Sequence, residues 1–199
     1  MRIHTIGDSH SRYAWPESVT PHHLGAILCY SFGQEKLDRC DLRDFEIENG
    51  DTIIFCFGEI DCRAHIHKHI TADRGYESII DELVDNYFEA IELNITTSEL
   101  ELHKIGVFNV VPPNNGGTRN HDWSGISRAG NLRKRFVIYF NQRLAEKCQE
   151  YGYWFVDVYD KYTDVNGWLD TRLSDNHMHI GDGSHLKRYL EENLNSRTT

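Results

Sequence analysis

Short apolar runs alternate along the chain with longer segments whose apolar residues recur every three or four positions. The short runs are rich in β-branched and aromatic residues, and most of them stop at glycine or proline. They comprise residues 2–7, 19–25, 51–58, 104–111 and 153–159. Continuous apolar runs of this length are typical of strands buried on both faces, as in a parallel sheet. The pattern therefore predicts five strands.

The longer segments have the periodicity of amphipathic helices. One apolar face comprises Ile80, Leu83, Val84, Tyr87, Phe88 and Ile91, and a second comprises Leu132, Phe136, Tyr139, Phe140 and Leu144. We expect residues 26–33 to be helical, and residues 184–194 predict a C-terminal helix with Ser184 as its N-cap. Strands that alternate with helices over 199 residues predict one α/β domain, residues 1–199, with helices on both faces of a parallel sheet.

Composition and charge narrow the choice of partners and location. The chain has 21 Lys and Arg against 31 Asp and Glu, a formal net charge of −10 that disfavours nucleic acid and anionic membranes as partners. We expect neither a signal peptide nor a membrane span, because no apolar run approaches the roughly 18 residues that a span needs. The five cysteines include no CxxC pair, so we expect free thiols and a cytoplasmic location.

Polar residues follow the first and third predicted strands, at the edge where parallel α/β sheets bind ligands. The first strand runs into "GDSHS", residues 7–11, in which either Asp8 or Ser9 caps a helix or Ser9 is a nucleophile exposed at a sharp turn. The third strand runs into "GEIDCRAH", residues 58–65. This segment is either an ordinary loop in which Asp61 pairs with Arg63 or part of a functional site.

Two further segments belong to the same edge. The loop after the fourth strand, "PPNNGGTRNHDW", is either a plain surface loop or a site lining, and Trp123 is its best candidate for contact with a sugar ring or acyl group. Near the C-terminus, Asp182 and His185 are three residues apart at the start of a helix. That spacing can place a carboxylate beside an imidazole Nδ1, although it also fits a simple helix cap.

Taken together, these segments resemble the SGNH, or GDSL-like, hydrolase family. "GDSHS" matches the first block of the family with Ser9 in the place of the nucleophile, and residues 182–185, "DGSH", match the D-x-x-H pattern of the last block. "FGEIDCR", residues 57–63, falls where the G-x-N-D block belongs. The resemblance implies a flavodoxin-like three-layer αβα sandwich with a five-stranded parallel sheet, and a Ser-His-Asp site at the carboxyl ends of the strands.

The resemblance also implies roles for individual residues. Ser9 would attack an ester carbonyl, His185 would take its proton, and Asp182 would orient and support the imidazolium. The backbone N–H groups of Ser9 and of a glycine in the second block would hold the oxyanion. We choose Gly25 for this glycine, with Gly33 as the reserve.

One position departs from the family pattern. Ile60 stands where the family has an asparagine that supplies a third oxyanion donor, and loss of one such donor typically costs about 10²–10³ in rate. Gly58 and Asp61 keep the outer positions of that block, and Arg63 and His65 are the nearest groups that could donate or contact substrate. The "GEIDCR" variant resembles a branch of SGNH-like proteins associated with sugar and glycan modification, which implies an O-acylated carbohydrate.

The leading hypothesis is therefore a serine esterase that deacylates a carbohydrate or another small ester without a cofactor. Two alternatives stay open: an O-acyltransferase with the same triad, and a non-catalytic glycan-binding module that Ile60 favours. The histidines of "HIHKH" and "HMH" could share a metal ion, but no cysteine or carboxylate spacing completes a ligand set, so we expect none. The expected partner is a small-molecule or glycan ester, with no nucleic acid and no membrane.

Overall fold

A computed structural model describes residues 1–115 and 130–194 of the chain. Five parallel strands form one sheet in the order β2-β1-β3-β4-β5. The strands are β1 Ile3–Gly7, β2 Val19–His23, β3 Thr52–Cys56, β4 Lys104–Phe108 and β5 Trp154–Val156. All five predicted strands are confirmed. Each is shorter than its apolar run, because residues at the ends of the run leave the sheet and enter the adjoining loops.

Four α-helices flank the sheet in the described residues: α1 Cys29–Glu35, α2 Tyr76–Ser98, α3 Gly130–Tyr151 and α4 Ser184–Leu194. The apolar face predicted for α2 is buried along its whole length. In α3, Phe136 and Phe140 are buried as predicted, whereas Leu132 in the first turn is 39% exposed. Ser184 is the first helical residue of α4 and not its cap, because its backbone N–H donates to the Asp182 carboxylate at 2.8 Å.

Alternate residues of the central strand β3 face two different helix layers. Ile53 and Phe55 pack with apolar residues of α1, α2 and α3, whereas Ile54 and Cys56 pack on the opposite face with Leu186 and Leu190 of α4. This alternation is the period of two that a strand imposes on its side chains. The sheet is therefore covered on both faces, which confirms the three-layer αβα sandwich.

The carboxyl end of β1 depends on a glycine. A Cβ on Gly7, whose φ is +157°, would lie 2.0 Å from the carbonyl oxygen of Cys56 in β3. The same carbonyl accepts the backbone N–H of Asp8 at 3.1 Å, and the carbonyl of Gly7 accepts the N–H of Leu24 at 2.9 Å. Strand β3 on one side and the residue that follows β2 on the other thus fix the backbone that enters the turn after β1.

The thiols are free, as predicted from the cysteine spacing, and all five are buried. Burial raises the pKa of Cys56 well above its usual value, and the nearby Asp8 carboxylate adds to that shift. Within the described residues, the model contains no helix that combines the length and the apolar character needed to cross a bilayer.

Candidate active site

The turn that follows β1 presents a serine and caps itself with the preceding aspartate. Ser9 begins a short 3-10 helix, and the Asp8 carboxylate accepts the backbone N–H of His10 at 2.8 Å. Ser11 Oγ donates to the carbonyl of Asp8 at 2.8 Å and closes the turn from the other side. The capping role that the sequence allowed for Ser9 therefore belongs to Asp8, and the Ser9 hydroxyl is available for another partner.

That partner is the imidazole of His179. Ser9 Oγ lies 2.9 Å from His179 Nε2, and His179 Nδ1 lies 2.7 Å from Asp175 Oδ2. Asp175 Oδ1 also accepts the backbone N–H groups of His177 and His179, at 2.8 and 3.1 Å. A carboxylate on Nδ1 holds the proton at that nitrogen, so Nε2 can accept the proton of the Ser9 hydroxyl. The three side chains have the geometry of a nucleophile, a general base and an orienting acid.

The structure does not bring the histidine and aspartate chosen from the sequence to Ser9. His185 lies on the exposed surface of α4, where its ring meets Tyr162 edge-on at 5.6 Å between centroids. The Asp182 carboxylate caps α4 through the N–H of Ser184. The D-x-x-H segment therefore forms a helix start, which is the alternative that its spacing allowed. The missed pair has a sequence signal in "SDNHMHI", where an aspartate precedes a histidine by four residues.

The surroundings of His179 favour its unprotonated form. Its ring stacks on Tyr13 at 4.1 Å between centroids and lies 5.0 Å from the ring of His10. Burial lowers the pKa of His179, and the charge of His10 lowers it further, against the opposing effect of Asp175. Although burial favours the neutral acid, hydrogen bonds from His179 and from two backbone N–H groups lower the pKa of Asp175. At neutral pH the pair is therefore a carboxylate beside a neutral imidazole.

The two glycines proposed for the oxyanion site have different positions. Gly25 follows β2 with a φ of +93°, and the hydrogen bond from its neighbour Leu24 to Gly7 holds this loop beside the turn that carries Ser9. Gly33 lies inside α1, where a Cβ would come within 3.0 Å of the Asn86 side chain on α2. Gly33 therefore serves helix packing, and Gly25 stays the candidate oxyanion donor.

The loop after β3 uses its aspartate to cap a helix. The Asp61 carboxylate accepts the backbone N–H groups of Cys29 and Tyr30 at the start of α1, at 2.7 and 3.2 Å. Burial raises the pKa of Asp61 to about 7, against these two hydrogen bonds. Gly58 has a φ of +110°, and a Cβ there would lie 2.8 Å from Phe140 of α3. Both residues thus position the loop between two helices.

Charged side chains from the same loop lie beside the site. Arg63 Nε donates to Glu59 Oε1 at 2.7 Å, so Arg63 pairs with Glu59 and not with Asp61. Glu59 is only 9% exposed and lines one small cleft with Asp8 and a second with Arg63 and Arg133. Glu59 therefore links the turn of Ser9 to Arg63 and to the buried Arg133.

A cavity of about 260 Å³ lies between the start of α1, the loop after β3 and the first turns of α2. Its apolar lining comprises Leu28, Ile66, Ile79 and Leu83, and its polar lining comprises Tyr30, Asp61, His65, His69, Arg74, Glu82 and Asn86. Burial and neighbouring cationic side chains lower the pKa of His65, which favours a neutral imidazole at this wall. The lining of the cavity does not include Ser9, Asp175 or His179.

Two further sequence predictions concern metal binding by the histidine clusters and a contact role for Trp123. In residues 1–115 and 130–194, no group of three or more His, Cys, Asp and Glu side chains is arranged to hold a metal ion. His65 and His69 of "HIHKH" line the cavity, and His179 of "HMH" contacts Ser9. Trp123, the predicted contact residue, lies outside the described residues.

Comparison with solved structures identifies the fold. The chain is similar to a proposed platelet activating factor from Streptococcus pneumonia, with a TM-score of 0.65 and 20% identity over 97% of this chain and 83% of that chain. It is similar to a GDSL-like lipase from Bacteroides thetaiotaomicron (TM-score 0.60, 13% identity, 97% and 85% of the chains). A third similar structure is the acetyl xylan esterase AlAXEase (TM-score 0.58, 10% identity, 96% and 98%). No family model and no curated protein matches the sequence.

The class that the strand order and these likenesses define is the SGNH, or GDSL-like, hydrolase fold. The fold predicted from the sequence motifs is thereby confirmed. In this chain, Ser9 occupies the turn after the first strand, at the carboxyl edge of the sheet.

Proposed function

We propose that this protein is a carboxylic ester hydrolase of the SGNH type, with Ser9, His179 and Asp175 as its triad. The observation that carries the proposal is the unbroken pair of contacts from Ser9 Oγ through His179 to Asp175, at 2.9 and 2.7 Å. A serine hydroxyl is a weak nucleophile, and a base oriented by a carboxylate is the arrangement that activates it.

The reaction proceeds through an acyl-enzyme. His179 takes the proton of Ser9 while Oγ attacks the ester carbonyl, and it then returns that proton to the departing alcohol. A water molecule, deprotonated by the same imidazole, releases the acid and restores Ser9. Asp175 stabilises the imidazolium that forms in both steps and holds its Nδ1 proton in place.

The oxyanion is bound by the backbone N–H groups of Ser9 and Gly25. The hydrogen bond between Leu24 and Gly7 supports this assignment, because it ties the loop of Gly25 to the turn of Ser9. Ile60 supplies no third donor. An enzyme with two donors is expected to be about 10²–10³ slower than one with three, unless the substrate or another group compensates.

The substrate is an O-acylated carbohydrate. The cavity beside the loop after β3 supports this choice, because it pairs an apolar wall with a rim of phenol, imidazole, amide and charged groups. Sugars present both an apolar C–H face and hydroxyl groups, and ligand sites of this mixed lining fix orientation through the polar groups. The loop after β3 contributes Glu59 beside the triad and His65 in the cavity, so one loop can contact both parts of a substrate.

Labelling with a fluorophosphonate, followed by mapping of the modified residue, tests the triad. We expect a single adduct on Ser9 that is lost in Ser9→Ala and strongly reduced in His179→Ala. An unlabelled wild-type protein, or an adduct on a different serine, would contradict the proposal.

Release of acetate from acetylated xylo-oligosaccharides, compared with release from p-nitrophenyl acetate, tests the substrate class. A sugar acceptor in the same assay shows whether the acyl group passes to water or to a hydroxyl.

A further inference from the structure

The residue next to the nucleophile is a buried histidine with an acceptor at each ring nitrogen. His10 is 5% exposed. Its Nδ1 lies 3.1 Å from Asp8 Oδ1, and its Nε2 lies 3.2 Å from the backbone carbonyl oxygen of Met178. A neutral imidazole donates from one nitrogen only, and neither a carboxylate nor a carbonyl can donate in return. Both contacts are hydrogen bonds only when both ring nitrogens carry a proton.

The buried carboxylate of Asp8 also favours a protonated His10. Asp8 is fully buried, and a buried carboxylate without a cationic partner is strongly unfavourable. Burial by itself lowers the pKa of His10, but the Asp8 carboxylate reverses this, with smaller contributions from Glu59 and the Met178 carbonyl. Together they raise the pKa of His10 to about 9. The geometry and the electrostatics therefore agree on an imidazolium.

The contacts of His10 join two parts of the site that are distant in sequence. The bond to Met178 spans 168 positions and ends one residue before His179. The carbonyl of His10 itself accepts the indole N–H of Trp15 at 2.8 Å, which restrains its backbone. The loop that carries the base is thus fastened to the turn that carries Ser9 through one side chain.

We propose that His10 is a positioning residue: as an imidazolium paired with Asp8, it holds the Met178 carbonyl and keeps His179 both aligned with Ser9 and unprotonated. The kinetic consequence rests on the proposed function, whereas the protonation state of His10 does not.

Replacement of His10 by glutamine should raise the pKa of His179. His10 is faced by the carboxylates of Asp8 and Glu59 and by the ring of His179. Removal of the imidazolium takes away the cation that lowers the pKa of His179 and leaves the Glu59 carboxylate, which raises it. The pKa of His179 must therefore rise, because the surrounding charge becomes more negative.

The pH profile of ester hydrolysis tests this prediction. Ser9, Asp175, Tyr13 and Glu59 also face His179, and they are unchanged in His10→Gln. We expect the acidic limb of kcat/KM to move up by about one pH unit. We also expect kcat to fall by about 10²-fold at constant KM, since a misaligned base impairs chemistry and not binding. An acidic limb that stays in place would overturn the proposal.

His4→Gln is the matched control. His4 is also a buried histidine of the β1 segment and also contacts an aspartate, Asp51, at 3.2 Å, but it lies at the opposite end of the strand. The control is expected to lower stability without moving the pH profile. A purely structural role for His10 predicts that the two variants behave alike.

Imidazole ¹⁵N NMR of the wild-type protein tests the inference without any activity assay or variant. We expect both ring nitrogens of His10 to be protonated at pH 7, whereas His179 carries one proton. A neutral His10 at pH 7 would refute the proposal. If the wild-type protein shows the expected spectrum but hydrolyses no ester, the proposed function fails and the assignment of His10 as a buried cation survives.

Discussion

Ser9 and His179 lie 170 positions apart in the sequence, and their Oγ and Nε2 atoms lie 2.9 Å apart in the structure. The contact joins the turn after β1, near the centre of the sheet, to the loop that precedes α4. Neither segment has the geometry by itself, because the turn lacks a base and the loop lacks a nucleophile. The proposed chemistry therefore depends on the packing that brings the two segments together.

The two candidate bases are distinguished by a pair of variants. We expect His179→Ala to lose ester turnover by at least about 10³-fold, because the triad acts as a unit. We expect His185→Ala to retain the wild-type rate, because His185 is an exposed residue of α4. Steady-state kinetics on p-nitrophenyl acetate measures both, and thermal melts check that both fold. A large loss in His185→Ala with normal turnover in His179→Ala would reverse the assignment.

A second pair of variants distinguishes the two candidate carboxylates, Asp175 and Asp182. Asp175→Asn is expected to reduce kcat by up to about 10⁴-fold, because an amide that donates to Nδ1 selects the wrong imidazole tautomer. Asp182→Asn preserves a good helix-capping group for Ser184, so its rate and stability should stay close to those of the wild type. Equal activity of the two variants would show that the Asp175 contact has no role in turnover.

Gly7 is predicted to tolerate no side chain. In Gly7→Ala the new Cβ would meet the Cys56 carbonyl at 2.0 Å, which forces β1 and β3 apart. We expect the free energy of unfolding to fall by at least about 2 kcal/mol, with a parallel loss of activity at Ser9.

Gly50→Ala is the control for Gly7→Ala, because Gly50 also has a positive φ, +86°, but has open space where a Cβ would stand. It should cost only about 1 kcal/mol of backbone strain. Urea denaturation compares the two variants, and similar losses would mean that the contact with Cys56 does not matter.

The free energy of unfolding in mildly alkaline solution should depend on the protonation of His10. Its pKa is about 9 in the folded state against 6.5 in the unfolded state, so this group contributes its full stability below pH 6.5 and loses it as the pH rises through 9. Between pH 7.5 and 9 the free energy of unfolding should fall by up to about 2 kcal/mol. His10→Gln should fall less steeply over that range, because the five buried thiols lose stability in both proteins whereas the contribution of His10 is absent from the variant. Wild-type and variant curves of equal slope would contradict a charged His10.

The elements of the fold are predictable because their signals are local. A continuous apolar run such as that of β3 indicates a strand wherever it occurs, and the apolar face of α2 repeats with a helical period that needs no knowledge of its neighbours. The candidate nucleophile is predictable for a related reason. Ser9 lies directly at the end of a strand, and a parallel sheet places ligands at that edge.

The candidate base was not predictable from spacing, because an aspartate and a histidine three or four residues apart occur both in helix caps and in catalytic pairs. Asp182 forms a cap, whereas Asp175 contacts an imidazole, and only the path of the loop towards Ser9 separates the two outcomes. The role of His10 is still further from any sequence signal. Its second acceptor is a carbonyl 168 positions away that every residue type possesses.

The backbone carbonyl of Met178 affects which substitutions the site should tolerate during evolution. A main-chain oxygen is supplied whatever amino acid occupies position 178, so substitutions there should accumulate freely among descendants of this gene. Positions 10 and 179 have no such freedom, since the charge of the imidazole at position 10 lowers the pKa of the imidazole at position 179. A lineage that loses the first histidine should therefore acquire another cation near the second, or work best at a higher pH.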